Sequence, residues 1–104
     1  MNNLISKIKS LSEENFQEIL EIRHHHHSHP ELSFEEYNTA DFIEKKLAEF
    51  CIPKTEKIAK TGVTFCLEGK EKGKTIALRA DIDALPITES NQVDYKSQNE
   101  GVMH

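Results

Sequence analysis

Residues 79–86 read Arg-Ala-Asp-Ile-Asp-Ala-Leu-Pro and carry the strongest signal in the chain. They overlap the end of Thr75–Ala80, a short, mostly apolar run that predicts a strand covered on both faces. Side chains two residues apart on an extended segment point to the same side, so Asp81 and Asp83 can enter one crevice. Open α/β sheets bind ligands at the rim beyond the carboxyl ends of their strands. The segment therefore predicts Asp81 and Asp83 as the candidate catalytic residues.

The charges of these two carboxylates allow two interpretations. Carboxylates this close repel each other unless a cation or an arginine neutralises them, and a metal ion, or a histidine bound to one, is the natural partner. The alternative needs no ligand: Asp81 caps a turn, and Asp83 pairs with Arg79. The spacing alone leaves both interpretations open.

Two amphipathic helices are predicted before this segment. Ser12, followed by two glutamates, predicts the start of the first helix, and Pro30 predicts its end at or near the preceding histidine. The second helix should begin at Ser33–Glu36, which matches a capping box, and stop before Pro53. Its apolar residues recur every three or four positions: Tyr37, Ala40, Ile43, Leu47 and Phe50.

The sequence after Pro53 predicts strands. Val63, Phe65 and Leu67 alternate with polar residues, which is the two-residue period of a strand. A polar, glycine-flanked turn separates this run from Thr75–Ala80, so the two runs predict an antiparallel hairpin. The predicted fold class is α/β, with the N-terminal helices packed on part of a mixed sheet.

Composition narrows the classes of partner. The chain has 104 residues and a formal charge of −5, which disfavours nucleic acid and anionic membranes as partners. It contains neither the continuous apolar run of a signal peptide nor that of a membrane span. Cys51 and Cys66 could form one disulfide or stay as two reduced, partly buried thiols, and the second alternative fits an expected cytoplasmic location.

Four stretches, residues 22–36, 61–63, 77–87 and 97–104, resemble the opening of a family of metal-dependent amidohydrolases and metallopeptidases. The family contains aminoacylase, hippurate hydrolase, auxin-conjugate hydrolase and N-acetyldiaminopimelate deacetylase. The most specific strings are His-Pro-Glu-Leu-Ser-Phe-Glu-Glu and Arg-Ala-Asp-Ile-Asp-Ala-Leu-Pro, and the stretches occur in the family's order. The resemblance implies a zinc-peptidase-like catalytic domain with two divalent metals, Zn or Mn, and a smaller lid domain.

The resemblance also implies a reaction. In this family a metal-activated water attacks the amide carbonyl of a small-molecule N-acyl-L-amino acid, and a glutamate moves the proton to the leaving amine. The full-length protein is expected to form a homodimer. The family's first metal ligands lie in a Cys-Gly-His-Asp motif directly after a Met-His pair, here Met103-His104. Residues 1–104 should therefore be the N-terminal part of the catalytic domain without the lid, inactive alone and holding no metal.

Individual roles follow from the same resemblance. Asp83 matches the aspartate thought to orient a ligand histidine. Asp81 stands where related metallopeptidases place a ligand histidine, and we expect it to support the site without a firm metal bond. Arg79 would balance the two charges. His104, next to the ligand motif, is expected to be structural and not a ligand.

The run His24–His27 is interpreted as a surface helix outside the metal site. His24 and His27 lie three residues apart on one helix face and could hold a stray transition metal, which keeps a second hypothesis open. In that hypothesis the chain is a truncated, non-catalytic homologue that serves as a binding or assembly module. A third is that another chain completes the fold.

Overall fold

The structure is a computed structural model that describes all of residues 1–104. Helix α1 spans Asn2–Ser28 and helix α2 spans Tyr37–Glu49. Strands β1 (Glu56–Ile58) and β2 (Gly62–Thr64) form an antiparallel hairpin, against which α2 packs. Two single-residue bridges add a parallel pairing of Leu32 with Ala84 and an antiparallel pairing of Leu85 with Met103. Helices packed beside pieces of a mixed sheet confirm the predicted α/β class.

Helix α1 is longer than predicted, because the start at Ser12 is wrong. The Ser12 hydroxyl donates a hydrogen bond of 2.9 Å to the Ile8 carbonyl oxygen, one turn earlier in a helix that begins at Asn2. Upstream residues Leu4, Ile8 and Leu11 continue the helical spacing, and no glycine or proline interrupts them. The end is as predicted, since α1 finishes at Ser28, just before Pro30.

Helix α2 begins after the predicted capping box, but Ser33 does not cap it. No side-chain hydrogen bond joins Ser33 to the helix, and the intervening Phe34 has a φ of 64°. The carboxylate of Glu31 accepts the backbone N–H groups of Asn38 (3.3 Å) and Thr39 (2.6 Å) instead. These are two of the four N–H groups that a helix leaves without a partner in its first turn. The helix stops before Pro53, as predicted.

The hairpin uses a different pair of segments from those predicted. Glu56 pairs with Thr64 and Ile58 with Gly62, around a loop in which Ala59 and Lys60 have positive φ angles of 49° and 76°. Gly62 is required by the close approach of the strands, because an added Cβ would lie 2.7 Å from the Ile58 carbonyl oxygen.

The predicted pairing of residues 63–67 with Thr75–Ala80 is absent, and only Val63 and Thr64 of these belong to a strand. Residues 65–83 make no backbone–backbone hydrogen bond outside regular elements. The side chains of Leu67, Ile76 and Leu78 are 70%, 84% and 96% exposed. A strand is stabilised by a partner strand and by a covered face, and neither is available to this segment within the chain. Local alternation was therefore insufficient to produce a strand.

The core is small. The buried hydrophobic residues are Ala40, Ala84 and Val102, and the side chain of Pro30 is buried as well. The radius of gyration is 16.3 Å, whereas a compact domain of this length would have about 13 Å. Much apolar surface on α1 and on residues 65–78 consequently remains uncovered by this chain. No helix is both long and apolar enough to cross a membrane.

Polar contacts hold the few packed elements together. The buried Glu36 carboxylate at the start of α2 accepts a 2.5 Å hydrogen bond from the Thr61 hydroxyl in the hairpin loop. Every buried side-chain nitrogen and oxygen has a hydrogen-bond partner, as buried polar groups require. Cys51 and Cys66 are free and exposed, so the disulfide is not formed and the predicted partial burial of the thiols is wrong.

Candidate functional site

Residues 81–85 lie between two other parts of the chain. The Ala84 N–H donates to the Glu31 carbonyl oxygen at 2.8 Å, just before α2. On the other side, Leu85 and Met103 exchange two backbone hydrogen bonds of 2.8 and 3.0 Å. Backbone hydrogen bonds to Glu31 on one side and to Met103 on the other thus fix the position of Ala84 and Leu85. Asp83 is half-buried next to the buried Ala84.

Asp81 and Asp83 occupy different environments. The Asp81 side chain is 71% exposed and accepts a 3.0 Å hydrogen bond from the Arg79 guanidinium, which is itself 89% exposed. An ion pair this open to water contributes little stability. The alternative in which Asp83 pairs with Arg79 is wrong, because Arg79 contacts Asp81. Within these residues, the two carboxylates do not share an enclosed crevice.

The Asp83 carboxylate acts electrostatically on the His104 ring. The pKa of the His104 imidazole lies below its usual value, first because its ring loses part of its hydration and second because of the neighbouring His27. The Asp83 carboxylate acts in the opposite direction and favours the protonated ring.

The histidine run is helical, as predicted, but it is not a simple solvent-exposed surface. All four rings of His24–His27 belong to half-buried residues. The His24 ring stacks on Tyr95 with centroids 3.8 Å apart, and the His25 ring stacks on Phe42 of α2 at 3.7 Å. Burial is the main cause that lowers the pKa of both His25 and His26. The run therefore packs the end of α1 against α2 and against the C-terminal segment.

Glu89 is a second buried carboxylate besides Glu36, and sequence analysis did not single it out. Its side chain is 1% exposed, and its two oxygens lie 2.9 and 3.0 Å from Nε2 of His27. The same carboxylate accepts the Ser97 N–H at 2.8 Å and the Asn91 side-chain amide at 3.2 Å.

Hydrogen bonds set the ionisation of this carboxylate. The Ser97 N–H is the largest cause and the His27 ring the second, and together with Asn91 they lower the pKa of Glu89 to about 2, against the opposing effect of burial. Glu89 is therefore an ionised anchor at neutral pH. In the sequence Glu89 is one acidic residue in a polar segment. Its partner His27 lies 62 positions earlier, so no local pattern indicates that the two side chains meet.

No group of three or more His, Cys, Asp and Glu side chains is arranged to hold a metal ion. Nε2 of His27, one of the two histidines considered for a stray metal, faces Glu89. The residues of this chain thus do not by themselves fit a two-metal centre, which needs several converging donors.

Comparisons with known proteins give this arrangement a context. No protein-family model matches the sequence. The chain is 43% identical to an N-acyl-L-amino acid amidohydrolase of Geobacillus stearothermophilus, over 94% of this chain and 26% of that protein. It is 46% identical to a hippurate hydrolase of Campylobacter jejuni, over 98% of this chain and 26% of the relative.

A solved structure is similar as well. The YXEP protein of Bacillus subtilis, described as a dinuclear metal-binding peptidase of the M20 family, matches with a TM-score of 0.79 and 41% identity. The match covers 85% of this chain and 25% of that protein. The chain thus spans about a quarter of the length of the relatives that it matches. High identity over nearly all of the chain, together with the same fold, establishes that it belongs to the family of amidohydrolases and M20 metallopeptidases.

Proposed function

We propose that the chain forms part of an amidohydrolase that cleaves the amide bond of N-acyl-L-amino acids. The observation that carries this proposal is its identity of 43% and 46%, over almost its whole length, with an N-acyl-L-amino acid amidohydrolase and a hippurate hydrolase. Hippurate is itself an N-acyl amino acid, so both relatives indicate the same class of small-molecule substrate.

In this proposal residues 1–104 are the N-terminal part of the catalytic domain and supply one side of the site. Asp83 is the positioning carboxylate, and it is half-buried next to the buried Ala84. Asp81 contributes negative charge at the rim, balanced by Arg79 at 3.0 Å. The metal ligands belong, in this proposal, to the part of the enzyme that lies beyond the quarter spanned by this chain. The lid domain and the homodimer contacts are likewise assigned to the rest of the protein.

A chimeric enzyme tests this function. This chain would replace the matching quarter of the Geobacillus N-acyl-L-amino acid amidohydrolase, and hydrolysis of an N-acetyl-L-amino acid would be measured with added Zn²⁺ or Mn²⁺. Activity within about tenfold of the parent enzyme, which corresponds to an activation barrier at most about 1.4 kcal/mol higher, would support the proposal. A folded, metal-loaded chimera without turnover would contradict it.

The alternative of a non-catalytic assembly module draws on the uncovered apolar side chains of α1 and residues 65–78. In that case the chimera would fold and bind metal without hydrolysing substrate. The same experiment therefore separates the two functions.

A further inference from the structure

We propose that Glu89 is a positioning residue of this site, whose buried carboxylate holds residues 97–103 on the end of α1 and thereby keeps Met103 paired with Leu85, two residues after Asp83. The catalytic role of that site rests on the proposed function, whereas the contacts of Glu89 described below do not depend on that function.

The first step is the anchor itself. Three donors from separate places converge on one carboxylate: the His27 ring from α1, the Ser97 N–H from the C-terminal segment, and the Asn91 amide. Because the Glu89 side chain is 1% exposed, water cannot readily replace a lost partner. Charge-assisted hydrogen bonds are about twice as strong as neutral ones, so this buried carboxylate is a strong attachment point.

The second step connects the anchor to Met103. Beyond Ser97, the Gln98 N–H donates to the Ser28 carbonyl oxygen at the end of α1 (2.9 Å). The Ser97 hydroxyl donates to the Val102 carbonyl oxygen at 2.7 Å. Met103 then pairs with Leu85, two residues after Asp83. A continuous series of hydrogen bonds thus runs from Glu89 to the segment that carries His104.

Glu89→Gln is the sharpest perturbation, because it keeps the size of the side chain. A glutamine offers one acceptor oxygen where the carboxylate offers two, and its NH₂ group must face one of the donors. Glu100→Gln is the matched control: it removes the same charge from the same segment, at an exposed residue without a side-chain hydrogen bond or ion pair.

The experiment uses NMR on the 104-residue chain. We expect amide exchange at Ser97, Gln98 and Met103 to accelerate at least about tenfold in Glu89→Gln and by less than about twofold in Glu100→Gln. The amides of α2 should exchange as in the wild type in both variants. Unchanged exchange at Ser97, Gln98 and Met103, equal effects of the two variants, or equal acceleration throughout the chain would overturn the proposal.

A second pair of variants decides the question if Glu89→Gln loses its helical circular dichroism. His27→Gln keeps a donor near Nε2, whereas His27→Ala removes it. We expect fast exchange of residues 97–103 in the alanine variant and near wild-type exchange in the glutamine variant, and equal behaviour would overturn the proposal. None of these measurements uses catalysis, so an inactive chimera would contradict the proposed function without touching the role of Glu89.

Discussion

Glu31→Gln tests the unexpected cap of α2. The wild-type carboxylate accepts four hydrogen bonds: from the backbone N–H and side-chain amide of Asn38, and from the backbone N–H and hydroxyl of Thr39 (2.6 and 2.7 Å). Glutamine keeps one acceptor oxygen and turns an NH₂ group toward the remaining donors. The substitution should therefore weaken the first turn of α2 without changing the size of the side chain.

The magnitude follows from the two kinds of contact. Losing a cap costs about 0.5–2 kcal/mol, and a hydrogen bond to a charged group contributes about 1.5–3 kcal/mol. The two free-energy contributions cannot be added, because the same carboxylate oxygens form the cap and the charged hydrogen bonds. Glu31 is also only half-buried, which reduces the effect. We expect the free energy of unfolding to fall by about 2 kcal/mol.

Urea unfolding followed by helical circular dichroism measures this loss. Glu35→Gln is the control, since Glu35 is exposed, lies four residues away and makes no side-chain hydrogen bond. Amide exchange at Thr39 and Ala40 would locate the effect at the start of α2. A Glu31→Gln protein within about 0.5 kcal/mol of Glu35→Gln would refute the cap.

The pH dependence gives a second readout. Burial alone would raise the pKa of Glu31, but the hydrogen bonds from Thr39 and Asn38 outweigh it and hold the pKa below the usual 4.5. The unfolded chain therefore takes up this proton at a higher pH than the folded one. The stabilisation is complete above about pH 4.5 and is lost as the pH falls below that value, whereas Glu31→Gln should lack this part of the pH dependence.

Three further outcomes are expected. The pKa of Glu89 is about 2, so its contribution to stability should be complete above about pH 4.5 and disappear as the pH falls toward 2. Acid titration followed by circular dichroism measures this loss of stability. A Glu89→Gln protein with the same acid profile as the wild type would contradict the prediction. The 104-residue chain alone should neither bind zinc tightly nor hydrolyse an N-acetyl-L-amino acid, as calorimetry and an amine-release assay can test; measurable turnover with Zn²⁺ or Mn²⁺ would show that the ligand set is complete. In an active chimera, Asp83→Ala should reduce kcat/KM by at least about a hundredfold and His24→Ala by less than about threefold, and equal losses would exclude the positioning role of Asp83.

Sequence analysis could single out the two candidate carboxylates because their signal is a contiguous string. Residues 79–86 drew attention to Asp81 and Asp83 directly. The contacts of these two residues were harder to predict from the sequence. Arg79 could have paired with either aspartate, and only the positions of the side chains show that it contacts Asp81 at 3.0 Å. Glu89 escaped notice because His27, a main partner, lies 62 residues away in sequence.

The sequence by itself determined the helices and their ends near proline. Helical spacing and the steric effect of proline act within a few residues, so the C-terminal limit of α1 at Ser28 and the extent of α2 follow from local chemistry. The family resemblance was equally local, because it depends on short contiguous strings.

Only the tertiary structure decided the cap, the strands and the buried anchor. Glu31 replaces Ser33 at α2 because the turn at Phe34 brings a more distant carboxylate to the helix start. The predicted strand residues Phe65–Leu67 and Thr75–Ala80 remain unpaired, since a strand needs a partner that a local pattern cannot supply. Glu89 becomes buried, and its pKa falls to about 2, only when α1 and the C-terminal segment meet around it. Each of these depends on contacts between residues that are far apart in the chain or separated by a turn, which no local pattern encodes.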